Sequence, residues 1–288
     1  MRNELEMENL GMGKPVVKIV GLGEGGARAI GKIMASGVGK DKAVSFVAIG
    51  NDENLMLESM AKENIFLNHD STTVYKRISA ALRGGKIIII VTGAGSSAAK
   101  KALPQVILCA KNNNATIVAF VNRPFVLENA IRKQNAEYCL NVLHHDADTV
   151  FDIPAEKFFI FRLNQPQVSL GEIFDVTNDI FAQGVDIFLN MISNSDSFSK
   201  WGNASFGYGY GTDPLDSIQN AIRFPLLDKD ELRHATRVFV RSTGNNDATT
   251  KNFIKSMLRP DAKLIWRADN SALDKIFASI IFSKEATP

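Results

Sequence analysis

Residues 16–33 read VVKIVGLGEGGARAIGKI, and the change of pattern within this stretch decides the fold class. Val16, Val17, Ile19 and Val20 make the opening almost wholly apolar, as expected of a strand buried on both faces. The run from Ala27 to Met34 is a good helix former. Between them Gly21, Gly23 and Gly26 spell G-x-G-x-x-G at a strand-to-helix turn, the context that a phosphate-cradling turn requires. Glycine there permits positive φ and lets backbone N–H groups approach an anion at the helix N-terminus. Three readings stay open on this stretch alone: a dinucleotide site, a different nucleotide site, and a tight turn without a ligand.

Working outward, strand and helix alternate up to about residue 168. A strand AVSFVAI (43–49) is followed by a helix near 72–83, a strand KIIIIVT (86–92), a helix near 98–111, a strand TIVAFV (116–121), a helix near 127–142 and a short strand at 148–153. Such alternation predicts an α/β fold with a parallel doubly wound sheet. The stretch SLGEIFDVTNDIFAQGVDIFLNMI (169–192) then carries Leu170, Ile173, Phe174, Thr177, Phe181, Val185, Phe188 and Ile192 at helical spacing, with Ser169 and Glu172 as a capping box. A helix of about 24 residues is about 36 Å long, a spine between two halves. Residues 194–214, rich in Ser, Gly and aromatics, read as loop or short edge structure. A helix near 215–223, a strand at 237–243, a helix near 248–258 and strands at 262–268 and 275–282 predict a smaller α+β C-terminal domain. The expected units are a flexible arm (1–14), a nucleotide-binding domain (15–168), the central helix (169–192) and the C-terminal domain (193–288).

The bulk properties suit this architecture. The 288 residues are 45% hydrophobic and 22% charged, enough for a large core, and 33 Lys+Arg against 31 Asp+Glu leave a net charge of +2. No broad basic surface for nucleic acid or anionic membrane is expected from that balance. Cys109 and Cys139 lie in apolar surroundings and read as buried thiols in a reducing compartment. No apolar run reaches about 18 residues, and acids stand where a signal peptide would be basic, so the expectation is a cytoplasmic protein without membrane insertion.

The third strand runs into VTGAGSSAAKKALP (91–104), a second small-residue turn with Gly93, Gly95, Ser96 and Ser97 opening another helix. Two such turns in one sheet can cradle a polyphosphate from two sides. A dinucleotide reading, with Asp52 after the second strand on the ribose, accounts for the first turn but not the second. At this point the order of segments resembles the tubulin/FtsZ superfamily, and FtsZ in particular, over nearly the whole chain. VKIVGLGEGGARAI is similar to the family's first phosphate loop, with Gly21, Gly23, Gly25 and Gly26, and Arg28 in place of a family Asn. FVAIGNDENLM is similar to the second, with Asp52 as its acid. VNRPFVLENAIRKQ places Glu128 and Arg132 where the family holds the ribose and nucleotide. IFDVTNDIFAQGV resembles the central helix, with Phe174 where an aromatic stacks on the base and Asn178 where the guanine edge is read. IQNAIRFPLLD is similar to a helix end of the C-terminal half.

The resemblance implies a GTP- or GDP-binding protein, with Mg²⁺, that self-associates or pairs with another FtsZ-like protein in a cytoskeletal or cell-division role. Departures from the family qualify this. The signature loop G-G-G-T-G-T-G is here Gly93-Ala94-Gly95-Ser96-Ser97-Ala98-Ala99, poorer in glycine. DTVFDIPAEKFF (148–159) matches the stretch carrying the guanine-reading Asn, but the residue is Ala155, so weak or relaxed base specificity is expected. Between Asn54 and Lys86 the chain is too short for the γ-phosphate-sensing loop, and after Ile192 the G-x-x-N-x-D-x-x-D loop with its catalytic acids is missing. Only Asp196, in NSDSF, stands nearby, and it reads as a solvated turn residue.

Hydrolysis is therefore expected to be impaired or absent, with no catalytic residue identified. The alternative is a non-hydrolysing interaction module in which nucleotide is structural or absent. Glu24 inside the first loop opposes phosphates unless Mg²⁺ or Lys100 compensates, and Arg28 either neutralises a phosphate or pairs with Glu24. His144, His145, Asp146 and Asp148 read as a solvated loop rather than a metal site, and no G-x-S-x-G supports serine catalysis. The aromatic run Trp201, Phe206, Tyr208 and Tyr210, interleaved with glycines, reads either as a partner surface or, for the alternating Phe206, Tyr208 and Tyr210, as one face of a strand packed on the spine helix.

Overall fold

The computed structural model describes residues 17–38, 44–162, 170–192, 200–244, 248–269 and 276–283. The first half runs β1 (Val17–Leu22), α1 (Gly23–Ala35), β2 (Val44–Gly50), α2 (Glu53–Glu58), β3 (Glu63–Phe66), α3 (Ser71–Leu82), β4 (Ile87–Gly93), α4 (Ser97–Asn112), β5 (Thr116–Arg123), α5 (Ala130–Asp146), β6 (Thr149–Pro154) and α6 (Ala155–Arg162). The central helix α7 (Leu170–Ile192) leads to β7 (Gly202–Gly211), α8 (Pro214–Ile222), α9 (Lys229–His234), β8 (Arg237–Thr243), α10 (Ala248–Met257), β9 (Lys263–Asp269) and β10 (Ile276–Ser283). All strands join one 10-stranded sheet in the order β3-β2-β1-β4-β5-β6-β7-β10-β8-β9. Only β10 runs against its neighbours, pairing antiparallel with β7 and β8.

The central strands β1, β4 and β5 are apolar at most positions because both faces are covered. Val20, Leu22, Ile88, Ile90, Ile117 and Val121 face a core closed by α3, α4 and α5, while Ile19, Ile89, Val91, Val118 and Phe120 face α1 and α7. Cys109 and Cys139 are both buried free thiols, and burial pushes the Cys139 thiol up to about 11. Among the described residues no helix is long and apolar enough to cross a membrane.

Three expectations are corrected. The stretch expected as loop or edge contains β7, a strand inside the sheet between β6 and β10. Its glycines lower strand propensity, yet they are what the packing needs. A Cβ on Gly207, Gly209 or Gly211 would stand 2.3–2.4 Å from backbone atoms of Ala221 or Ser217, so α8 lies directly on the strand. The alternate residues face the other way, with Phe206 buried, Tyr208 half-buried and Tyr210 exposed. Helix α1 starts at Gly23, four residues earlier than the helix formers suggest, which puts the loop glycines inside its first turn. His144 and His145 are in the last turn of α5, not a loop, with His145 Nδ1 2.9 Å from Asp146 Oδ1. The short elements α2, β3, α6 and α9 have no sequence period long enough to reveal them. The capping-box residue Ser169, the arm at 1–14 and NSDSF lie outside the described residues.

An aromatic knot fastens α7 to the sheet. Phe120 stacks on Phe151 at 4.5 Å, and Phe206 meets their edges at 6.1 and 5.8 Å. Gly184 of α7 lies against this knot, where a Cβ would be 2.6 Å from Phe206 Cζ and 2.8 Å from Phe120 Cε1. At the far end of α7, Arg267 of β9 donates to the Asn190 carbonyl at 2.6 Å and caps the helix C-terminus. Gly184→Ala should lower stability by about 1–3 kcal/mol through overpacking, outweighing the gain of about 1 kcal/mol from alanine's helix preference. Urea unfolding followed by circular dichroism reads this, and an unchanged or raised midpoint would show that the knot yields.

Candidate functional site

The expected phosphate-binding glycines divide by what each does. Gly21 and Gly26 are packing glycines: a Cβ on Gly21 would be 2.4 Å from the Gly26 carbonyl oxygen, and one on Gly26 would be 2.6 Å from the Val91 carbonyl oxygen. They seat α1 on β1 and β4. Gly23 has φ +69°, the left-handed region that favours glycine, and its Cβ would stand 2.3 Å from Ser96 Oγ. The two small-residue turns are therefore in direct contact through Gly23 and Ser96. Gly25 and Gly93 differ from these. A Cβ on Gly25 would meet nothing closer than Gly93 N at 3.7 Å, and one on Gly93 would meet nothing within 4 Å. Open space thus lies beside two glycines that packing does not require.

Helix α1 has no side-chain N-cap, so only Glu24 in its first turn offsets the exposed N–H groups. In α4 the Ser96 hydroxyl is the N-cap, accepting from Ala99 N at 3.3 Å, while Ser97 is exposed as the first helical residue. Gly95 is buried beneath α5: a Cβ there would be 3.2 Å from Arg132 Cβ, and Asn135 Nδ2 donates to its carbonyl at 3.3 Å. The second loop reaches the same place, since a Cβ on Gly50 would be 3.8 Å from Gly23 Cα. Asp52, two residues on, is exposed, and its carbonyl accepts from Met56 N at 3.1 Å to start α2.

The charged residues expected at the site are paired with one another. Arg28 donates to Glu24 at 3.2 Å, one turn apart on α1. Arg132 pairs with Glu128, whose other oxygen accepts from Phe125 N at 2.9 Å. Asn178 is buried on α7, one residue before Asp179, whose carboxylate meets Lys32 of α1 at 3.0 Å. Phe174 is on the same helix, with its side chain outside the described set. Ala155, fully buried, opens α6 directly after β6. One strand along, Arg123 and Asp152 form a bidentate pair that holds the guanidinium charged and lines a cavity of about 250 Å³ with Pro154, Lys157 and Leu226.

Sequence reasoning missed Asn122. It stands opposite Gly93 in the β4–β5 ladder, its carbonyl accepts from Ala94 N at 2.9 Å, and its side-chain oxygen is buried without a hydrogen-bond partner. A buried orphan acceptor is uncommon and marks a place where a donor is wanted. The signal was a polar residue at the C-terminal end of a buried parallel strand, where ligands of open α/β sheets bind. Among the described residues no group of three or more His, Cys, Asp or Glu could hold a metal ion.

No protein-family model matches this chain. It is 27% identical over 292 residues to cell division protein FtsZ 1 of Archaeoglobus fulgidus, covering 88% of this chain and 77% of that protein. It is 25% identical to cell division protein FtsZ of Caulobacter vibrioides, again over 88% of this chain but only 56% of that longer protein. Among solved structures, a dimer of empty FtsZ from M. jannaschii aligns over 98% of this chain and 92% of its own, with a TM-score of 0.79 at 22% identity. A GTPγS-bound protofilament of CetZ2 from Haloferax volcanii aligns over 92% of each chain, with a TM-score of 0.71 at 14% identity. With the motif order and the paired turns, these relations support a divergent member of the FtsZ/tubulin superfamily.

Proposed function

We propose that this chain is an FtsZ-like, nucleotide-binding, self-associating protein that does not hydrolyse GTP by the family's route. One observation carries the nucleotide: the turns after β1 and β4 touch through Gly23 and Ser96 and leave open space at Gly25 and Gly93. In the strand order, β1 and β4 are neighbours whose chains then proceed in opposite directions, the switch point at which such sheets bind ligands. Backbone N–H groups of the uncapped α1 would hold phosphates of GTP or GDP, with Gly21, Gly23, Gly25 and Gly26 shaping one side and Gly93, Gly95, Ser96 and Ser97 the other. Asp52, Arg28, Glu128 and Arg132 would border the ribose and phosphates, and Phe174 and Asn178 the base. Mg²⁺ would be carried on the phosphates, since no protein cluster is present among the described residues to hold it.

The guanine edge fits less well. The Ala155 side chain has neither the donor nor the acceptor of the amide that the resemblance puts there. Base discrimination is therefore relaxed. Loss of hydrolysis is supported at the β3–α3 connection, where Asp70 accepts from Thr72 N and Thr73 N at 3.0 Å and starts α3 at once. No span is left there for a γ-phosphate-sensing loop. We read the working units as 15–168, 169–192 and 193–288. The second reading, an interaction module without nucleotide, is favoured by the two arginines already paired with carboxylates.

Self-association draws support from an apolar rim near the paired turns, where Leu127 is 97% exposed and Val126 and Ile131 are each 69% exposed. Exposed apolar clusters mark interaction surfaces. Leu127→Glu should abolish concentration-dependent association in analytical ultracentrifugation, and unchanged sedimentation of an associating protein would move the interface elsewhere. For the nucleotide, Gly93→Val fills space that packing does not use. It should leave the melting temperature near wild type while weakening GDP binding at least about tenfold in calorimetry; tight binding by the variant would place the ligand elsewhere. Phosphate release from GTP should stay at background at all protein concentrations, and Asp196→Ala should change nothing. A concentration-dependent GTPase abolished by Asp196→Ala would make NSDSF a compressed catalytic loop.

A further inference from the structure

We infer that Glu24 is a specificity-determining residue that sets the site against the third phosphate, so that a nucleoside diphosphate binds at least as tightly as the triphosphate. This rests on the nucleotide reading above and adds what kind of nucleotide the turns accept. Within 21–26 the sequence is Gly-Leu-Gly-Glu-Gly-Gly, so the only ionisable group in the turn is a carboxylate. Glu24 is 62% exposed at the side chain, in the first turn of a helix that has no side-chain cap. An acid there interacts favourably with the helix dipole, which is the interaction an incoming phosphate would use. The helix end is thus part-neutralised before a ligand arrives.

The cations do not make up the difference. Arg28 turns toward the helix N-terminus and meets Glu24 at 3.2 Å, while Lys32, one turn further, is drawn off to Asp179 of the central helix at 3.0 Å. Arg132, packed against Gly95, is partnered by Glu128. Lys100, one turn into α4, lies 5.5 Å over the Tyr138 ring. Each added phosphate brings about one further negative charge, against a fixed number of backbone N–H donors and arginines already neutralised by carboxylates. The first phosphates gain the N–H contacts. A third gains no further side-chain cation from these four residues and adds repulsion from Glu24.

The test is calorimetric titration of the full chain with GMP, GDP and GTP in Mg²⁺, for wild type, Glu24→Gln and Arg28→Gln. Wild type should bind GTP no more tightly than GDP. Glu24→Gln should raise the affinity for GTP relative to GDP about three- to fivefold, the size of one partly exposed charge interaction. Arg28→Gln, which leaves Glu24 without its counter-charge, should shift the ratio the other way. Both positions are exposed, so the variants should melt near wild type. Binding with a GTP to GDP ratio that Glu24→Gln leaves unchanged overturns this inference alone. No heat with any nucleotide, for wild type and both variants, overturns the nucleotide reading and this inference together.

Discussion

The close approach of two backbone turns governs this molecule. Helix α1 can lie across β1 and β4 only because Gly21 and Gly26 have no Cβ, and the turn after β4 can touch it only because Gly23 adopts φ +69° against Ser96. A side chain at any of these positions would meet backbone or the capping serine within 2.3–2.6 Å, closer than real Cβ contacts allow. Two helix N-termini are thereby brought to one end of the sheet, and the positive ends of two dipoles with them. The open space beside Gly25 and Gly93 is a consequence of that packing.

A second set of glycines joins the halves. The pairing of β6 with β7 extends over only three residues, Thr149 to Phe151, so the ladder alone is a thin connection between the parallel strands and the rest. Much of the joint is made on either side of β7, where Gly207, Gly209 and Gly211 admit α8 and Phe206 inserts between Phe120, Phe151 and Gly184 of the central helix. Arg267 then ties the far end of that helix to the distal edge strand. A displacement of α7 would have to carry the aromatic knot and this edge strand with it.

What the sequence made legible follows from the same physics. Long periodic elements were plain: the apolar strands, the helix at 72–83 and the central helix each match the observed bounds to within a few residues. The reading of FGYGYG as one face of a strand packed on the spine helix holds for Phe206, but its place inside the sheet is obscured because glycine weakens a strand locally and the helix that covers those glycines follows them in sequence. The start of α1 is hidden for the converse reason: glycines suggest a turn, but in a first helical turn their N–H groups need no intrahelical partner. At the site, the residue types at Gly23, Ser96, Glu128 and Arg132 are legible, and the four-residue spacing already allows the Glu128–Arg132 and Glu24–Arg28 pairs, whereas the contact of Gly23 with Ser96 is not. Whether Arg28 turns to Glu24 or to a ligand depends on geometry that no spacing rule contains. Asn122 escaped notice because a single polar residue ending a strand is ordinary until its oxygen is found buried and without a partner.

The sorting of glycines also bears on what a motif is worth as evidence. Gly21, Gly23 and Gly26, the three that spell the fingerprint, all have a packing cause, so they would be required even if the cradle held nothing. Their presence cannot separate a working nucleotide site from an empty one. Gly25 and Gly93 are different, because a Cβ at either would meet only ordinary contact or open space. Backbone without a packing reason for glycine, beside an uncapped helix end, leaves room for close approach of an anion. The room for a ligand lies at the two glycines outside the G-x-G-x-x-G pattern, and the pattern itself accounts for the shape of the fold.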